Sequence, residues 1–456
     1  MNNFKQTNNI KTIVKLASPI ILAQLFQIAY QITDAFWIGR LGEKAIASVA
    51  MSMPVIFFMT SLGIGLAIAG STLTAQYFGA KNESMLSKSA AQTMLMVSAA
   101  SIIFSIIGYL NTENILHLLG TDSSIINEAS SYLRIAFLGL IFNFCFFIFQ
   151  SIMRSIGKPQ TPVYIVIGTV MLNFMLDPLF MFGFGPLPGM GIGGIALATL
   201  ITQSLAASIG LYLLFAGKHG IHLHYRDFKP DIKFIKKAFL LGLPASIEQS
   251  TRSLALTITT GMIATFGTLA VAAYGVGSTI LQVILMITFG LAGANAALVG
   301  QKLGAGEPAL ARSLANSSLK LAAMTLSILG AVVFLLAPNL ISLFAGQDQA
   351  VIVAGTNYLH FIAPIFGLLG VQIIIGSTLQ ASGNTTRAMT LTLTSQWLLQ
   401  LPLIYLLPRL NDLNLNGVWL AFPLTNIIMA VIYFIVFKRS AWEKKKLISR
   451  TDKPSS

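Results

Sequence analysis

The sequence has one cysteine, Cys145, in 456 residues, which rules out an internal disulfide. Acidic residues are scarce, 15 in all, and charged residues make up only 10% of the chain. A soluble domain carries about a quarter. Polar stretches long enough for a separate soluble domain are also lacking. Apolar runs of about twenty residues recur instead, near 13–38, 46–74, 89–110, 129–153, 160–182, 192–216, 238–265, 271–298, 316–337, 351–378, 387–407 and 416–438. Each is enough to cross a hydrocarbon core about 30 Å thick. The pattern predicts an all-α polytopic membrane protein with twelve transmembrane helices.

Only three acids, Asp34, Asp177 and Glu248, fall inside these runs. A carboxylate at that depth costs roughly 2.5–3.5 kcal/mol on insertion scales, so it normally persists for an ion or substrate pathway.

Basic residues are more common, and their placement is uneven. With the N-terminus inside, inner loops and tails hold Lys5, Lys11, Lys15, Lys81, Lys88, Arg154, Lys158, the group from Lys218 to Lys237, Lys302, Arg312, Arg387 and the tail from Lys438 to Lys453. Outer loops hold Arg40, Lys44 and Arg409. This bias puts both termini in the cytoplasm. It also accounts for the net charge of +14 without a nucleic-acid partner. The tail Trp442–Lys446 is expected to favour anionic inner-leaflet lipid. Lysines precede the first apolar run as in a signal peptide, but no small-residue cleavage site follows, so a retained first helix is expected.

The chain repeats itself. Leu41-Gly42-Glu43-Lys44-Ala45-Ile46-Ala47 resembles Phe266-Gly267-Thr268-Leu269-Ala270-Val271-Ala272, and Ala75 to Ala80 resembles Gly300 to Ala305 at the same offset. Pro19 matches Pro244 likewise, while Tyr132-Leu133 and Gly157 match Tyr358-Leu359 and Gly383 one residue further on. Six helices per half make a parallel repeat, with a pseudo-two-fold axis along the membrane normal. The expected organisation is an N-lobe over 1–216, a cytoplasmic linker over 217–237 and a C-lobe over 238–456. A flexible link between two similar bundles permits rocking and alternating access.

In the first helix Gln27, Tyr30, Gln31 and Asp34 fall at i, i+3, i+4 and i+7, one polar face of an otherwise apolar helix. Asn173 and Asp177 share a face of the fifth helix, and Thr199, Thr202 and Gln203 share one of the sixth. Asp34 is five residues before Gly39, Asp177 six before Gly183 and Thr199 eight after Gly191. At 1.5 Å per residue they lie about 7–12 Å in from the outer helix ends, so three helices offer oxygen ligands in one slab. Desolvation and mutual repulsion disfavour two charged carboxylates in an apolar pocket. Such a pair can trade a proton or hold a hard cation on oxygens alone. The bland alternative is a buried polar knot that only packs helices.

These elements together resemble a multidrug and toxic compound extrusion (MATE) transporter, over nearly all residues from about 13 to 437. The resemblance is carried by Asp34-Ala35-Phe36-Trp37-Ile38-Gly39-Arg40-Leu41-Gly42, Asn173-Phe174-Met175-Leu176-Asp177-Pro178 and Gly191 to Thr199. Arg154 to Thr161 and Leu379 to Thr385 are similar as well. The resemblance implies an N-lobe cation site at Asp34, Asn173, Asp177 and Thr199, and a drug cavity lined by Gln27 and Tyr30. Gln31, Asn143, Gln150 and Gln203 are further cavity candidates, with one or two rings of the Phe142–Phe149 run.

The second half departs from the pattern. Pro244-Ala245-Ser246-Ile247-Glu248 resembles the Pro-x-x-x-Glu element of the sodium-coupled branch, whose partner Asp corresponds here to Leu369. Glu248 and Arg252 stand i and i+4, the favourable order for an intrahelical pair, so this possible second site has a structural alternative.

Other signals are weaker. Gly189 to Gly194 matches G-x-G-x-x-G without the preceding strand that a dinucleotide fold needs; turns and close helix packing explain it better. His219, His222 and His224 lie in the linker without cysteine or paired acids, which argues against a metal centre. Arg134 is expected to snorkel or cap a carbonyl. Pro54, Pro178, Pro364, Pro402 and Pro423 are expected to kink their helices.

The sequence leads to a monomeric secondary antiporter of the bacterial inner membrane. It would export amphipathic cationic organic compounds against H+ or Na+, with no cofactor beyond that ion. A lipid-linked precursor flippase of the same superfamily is the nearest alternative, but it would call for a cationic cavity, and Arg252 is the only deep Arg or Lys. An intramembrane aspartyl protease lacks its signatures, since Asp34 follows Thr33 and Asp177 follows Leu176. No filter-like loop marks a channel.

Overall fold

The computed structural model describes residues 2–448 apart from 186, 219, 347, 411–412, 440–441 and 446. His219 and the basic residues after 448 therefore lie outside the described residues.

The first half contains α1 (Asn2–Gly39), α2 (Glu43–Gly79), α3 (Glu83–Leu110), the short α4 (Thr112–Leu118), α5 (Ile126–Ser155), α6 (Gln160–Phe182) and α7 (Ile192–Phe215). The second contains α8 (Ile232–Ala264), α9 (Thr268–Gly304), α10 (Pro308–Ala345), α11 (Gln349–Ile362), α12 (Phe366–Ala381), α13 (Thr385–Leu393), α14 (Leu401–Leu406) and α15 (Asn414–Arg439). Among the described residues the only sheet is a two-residue hairpin, β1 (Gly183–Phe184) with β2 (Leu187–Pro188). Among the described residues ten helical stretches are long and apolar enough to cross a membrane, α11 and α12 counting as one. The two remaining predicted spans are also helical. One is α8, whose apolar character is diluted by Lys233, Lys236, Lys237, Glu248 and Arg252. The other runs from α13 to α14 through a π-helical turn over Thr394–Gln400. That turn precedes Pro402, which has no N–H for the carbonyl one turn back. Pro364 likewise sits in a 3₁₀ turn over Ala363–Ile365.

The internal repeat is written into the backbone. α2 and α9 are both 37 residues long, and both ends are offset by 225 (268 − 43 and 304 − 79). Each starts from a glycine in the left-handed region, Gly42 at φ 97° and Gly267 at φ 98°, where a side chain would be strained. Gly157 and Gly383 also share their conformation, at φ 77° and 79°.

Packing divides the chain into two compact units. One is built on Leu22–Ser246; the other joins Met1–Ile21 to Ile247–Leu447. Chain order alone divides at 216 and 238, whereas packing places the boundaries inside α1 and α8. In the first unit α5 is central and packs on α2, α3 and α7, with α6 against α7. In the second, α9, α10 and α12 pack together and α15 covers α12. Ile13, Leu16, Ala17 and Ile20 of α1 belong to that second core, with Leu291, Ala294, Ile375 and Tyr433.

The expected flexible linker is corrected over residues 221–231. Gln92 of α3, fully buried, donates Nε2 to the carbonyls of Asp227 (2.6 Å) and Lys229 (2.8 Å) and accepts from the Asp231 N–H (3.0 Å). Lys88 Nζ pairs with Asp231 Oδ2 at 2.7 Å, and Ile221 and Leu223 are buried. A buried amide needs its partners, so the linker is held on α3. The second unit ends in a comparable clasp. Trp442 is buried against Phe437, Glu443 pairs with Arg312 at 2.9 Å, and Lys445 donates to the Gly383 carbonyl at 2.7 Å. Burial makes Trp442 a core residue, not the lipid contact expected from its place in the basic tail.

Candidate ion and substrate site

The polar face of α1 meets α6 and α7 inside the first unit. The Tyr30 hydroxyl is 3.2 Å from Thr202 Oγ1, which ties α1 to α7. Thr202 in turn donates back to the Ala198 and Thr199 carbonyls of its own helix. On α6, Asn173 and Asp177 stand one turn apart, and Asn173 Nδ2 donates to Asp177 Oδ1 at 3.0 Å. Both side chains are fully buried. The Asp34 carboxyl lies close to that of Asp177. Pro178 follows Asp177 directly and withholds the N–H that would bond the Phe174 carbonyl, loosening α6 at the carboxylate.

Four side chains each present a buried oxygen without a hydrogen-bond partner: Asp34 Oδ1, Asn173 Oδ1, Asp177 Oδ2 and Thr199 Oγ1. They come from three helices. One such unmet buried group costs roughly 1–3 kcal/mol. Four in one place form an acceptor-rich set suited to a proton or a hard cation. Among the described residues no three His, Cys, Asp or Glu side chains gather in one cluster. The donor set is therefore two carboxylates with an amide and a hydroxyl oxygen.

Beside this set lies an open cleft of ≈ 490 Å³, the open space at its mouth included. Gln27, Tyr30, Asn143, Gln150 and Gln203 line it with Phe146, Phe147, Thr169 and Thr202. Tyr30 and Thr202 join the cleft to the oxygen set. Gln31 is exposed and does not line the cleft, since i+4 from Gln27 turns it past the α7 contact.

Sequence reasoning missed three participants. Thr169 is one turn before Asn173, so its place on that face could have been read from spacing. Tyr132 of α5 lies near both carboxylates, and nothing local in the sequence marks it. Trp37 packs on Phe36, Phe174 and Phe182 and closes the α1–α6 contact at the Gly39 end of α1.

The second unit treats its carboxylate differently. Glu248 is buried and accepts from Thr392 Oγ1 (3.1 Å), Gln380 Nε2 (3.1 Å) and Arg252 Nη2 (3.4 Å). Both its oxygens are engaged, and Tyr433 closes the cluster 3.4 Å from Thr392. In the linker the His222 and His224 rings lie 4.4 Å apart, with His224 3.5 Å from Asp227. Arg134, expected to snorkel or to cap a carbonyl, bonds Glu113 Oε1 at 2.9 Å instead of a carbonyl. Gly189 and Gly194 pack closely on the end of α6: a Cβ on Gly194 would sit 2.4 Å from the Phe180 carbonyl oxygen.

Comparison with known proteins returns one family and one fold. The MatE family model matches residues 19–179 and again 244–406, so it fits each half of the chain. The probable multidrug resistance protein YoeA of Bacillus subtilis is 26% identical over 433 residues, covering 94% of this chain and 93% of that protein. A Shewanella oneidensis protein named FAD transporter is 26% identical over 429 residues, covering 94% of each. The crystal structure of an aspartate-to-asparagine mutant of the Vibrio cholerae MATE transporter VcmN superposes with a TM-score of 0.88 at 21% identity, over 96% of this chain and 99% of that one.

Proposed function

We propose, from the premise that this chain belongs to the MatE family, a family of membrane transporters and not of enzymes, that it is a cation-coupled antiporter. Its exports are amphipathic cationic organic compounds, and its coupling ion is H+ or Na+. The observation that carries this reading is the set of four unpartnered buried oxygens on Asp34, Asn173, Asp177 and Thr199, beside a cleft with aromatic and amide walls. Relatives named for multidrug resistance and multidrug export support the substrate class.

The mechanism follows from charge and contact. Two ionised carboxylates in an apolar bundle repel each other and lack water. A monovalent ion entering from the outer side compensates one of the two charges, relieves their repulsion and lowers the cost of enclosing α1 against α6 and α7. Tyr30 and Thr202 line the cleft and meet at its edge beside the oxygen set, so repacking of α1 around the ion alters the cleft walls and releases the compound. After inward opening the ion leaves, charge returns to the pair and a new substrate binds. The protein resides in the bacterial inner membrane as a monomer with both termini in the cytoplasm, the orientation given by its lysines and arginines.

Proteoliposomes loaded with a cationic dye, under a pH gradient or a Na+ gradient applied separately, test the reading. One gradient is expected to drive efflux by the wild type, and Asp34→Asn is expected to lose at least about tenfold of that rate, the equivalent of about 1.4 kcal/mol. Undiminished driven efflux by Asp34→Asn would overturn the mechanism.

A further inference from the structure

A second cleft, enclosing ≈ 620 Å³, opens on the first unit where α3 ends and α5 begins. It shares no lining residue with the substrate cleft and lies at the opposite end of α3 from the linker clasp. Its walls include Tyr109, Glu113, Asn127, Ser130, Arg134 and Leu138. Arg134 Nη2 donates to Glu113 Oε1 at 2.9 Å, and the guanidinium carbon lies 5.8 Å from the Tyr109 ring centroid. Both charged side chains remain open to a ligand, 43% exposed for Arg134 and 60% for Glu113.

Two polar atoms in the same wall are buried without partners: the hydroxyl of Ser130, a residue only 5% exposed, and Nε of Arg134. The same helices carry exposed apolar side chains next in sequence to these walls. Ile106, Ile107 and Leu110 of α3, Leu118 of α4 and Leu138 of α5 are each 49–87% exposed.

These features select a ligand. A pocket with one cation and one anion in contact matches a headgroup that itself carries both charges. A phosphate suits the guanidinium and the hydroxyl, because charge-assisted bonds to arginine are the strong ones. An ammonium suits Glu113, with the tyrosine face adding a cation–π contact. The apolar collar at the end of a membrane-crossing helix suits acyl chains, which a free phosphate lacks. We propose that this cleft binds the zwitterionic headgroup of a phospholipid, with phosphate on Arg134, Asn127 and Ser130 and the ammonium on Glu113 beside Tyr109. Placing it in the outer leaflet rests on the orientation proposed above; the site itself does not.

Native mass spectrometry of the detergent-purified full chain tests this, with phosphatidylethanolamine, phosphatidylglycerol or inorganic phosphate added in turn. Wild type is expected to retain phosphatidylethanolamine about tenfold more strongly than phosphatidylglycerol, and Arg134→Gln or Glu113→Gln to lose that preference. Asn127→Trp, which fills the cleft and leaves the ion pair intact, is expected to lower retention equally and carries the test if the charge variants fold poorly. Equal retention of both lipids by wild type, or undiminished preference in all three variants, overturns the proposal. Displacement of the lipid by inorganic phosphate at millimolar concentration would assign a free-anion site and overturn the lipid assignment. None of these outcomes depends on transport, so failure here leaves the antiporter reading untouched.

Discussion

At the scale of single residues, the two units handle buried charge in opposite ways. Asp34 and Asp177 each keep an unpartnered buried oxygen, whereas both oxygens of Glu248 accept hydrogen bonds. A satisfied carboxylate has little to offer an ion, and breaking its network leaves buried donors unmet. Glu248→Gln puts an amide where the Glu248 carboxylate now accepts from Thr392, Gln380 and Arg252. It is expected to lower unfolding stability by roughly 1–3 kcal/mol, with gradient-driven efflux per folded molecule retained. Thermal unfolding and proteoliposome flux on the same preparation check this. Lost driving with unchanged stability would move coupling to the second unit.

At the scale of helices, close approach is governed by small residues, because lipid gives apolar side chains no incentive to leave it. Gly65 of α2 lies against the start of α8 within the first unit. A Cβ there would stand 2.2 Å from both Ser246 N and Ser246 Cα, and the Ser246 hydroxyl bonds the Leu62 carbonyl at 2.9 Å. Gly65→Ala must push these backbones apart and is expected to cost roughly 1–3 kcal/mol, read as a lower melting temperature. Gly168→Ala on α6, which meets nothing within 4 Å, is the control and is expected to change little. Helix lengths were legible only in part. The apolar run near 46–74 marks the membrane portion of α2, but the helix extends from Glu43 to Gly79. Its polar ends carry no apolar signal, and it stops where Gly42 and the turn at Lys81 leave helical backbone.

At the scale of the whole molecule, the segments that follow α7 and α15 are clasped where composition alone reads as loose polar chain. In the linker the hydrogen bond from Lys88, followed by that from the Phe234 N–H, holds the Asp231 carboxyl below the usual carboxylate value. A carboxyl depressed in the folded state adds stability above its unfolded pKa, about 3.9, and loses it as pH falls through the folded value. Amide protection across 221–234, taken relative to the intrinsic exchange rate at each pH, is therefore expected to be high at neutral pH and to fall on acidification below that range. Asp231→Asn should show low protection at both pH values. An unchanged pH profile in Asp231→Asn would show that the pair does not hold the linker.

What sequence alone determined here is what depends on local pattern. Apolar length made the helices, because a bilayer requires every backbone group to be bonded within its own segment. The 225-residue offset established the repeat, later visible in the matched lengths of α2 and α9. Helical spacing put Asn173 with Asp177, and Tyr30 with Asp34, on shared faces. Tertiary structure alone decided which faces meet. Tyr30 reaches Thr202 across 172 positions, Tyr132 comes up beside two carboxylates, and Thr392 satisfies Glu248 from 144 positions away. It also passed the first turns of α1 to the unit of the second half. Period and propensity act over a few residues, whereas the partner of a buried polar atom is set by packing between helices far apart in the chain.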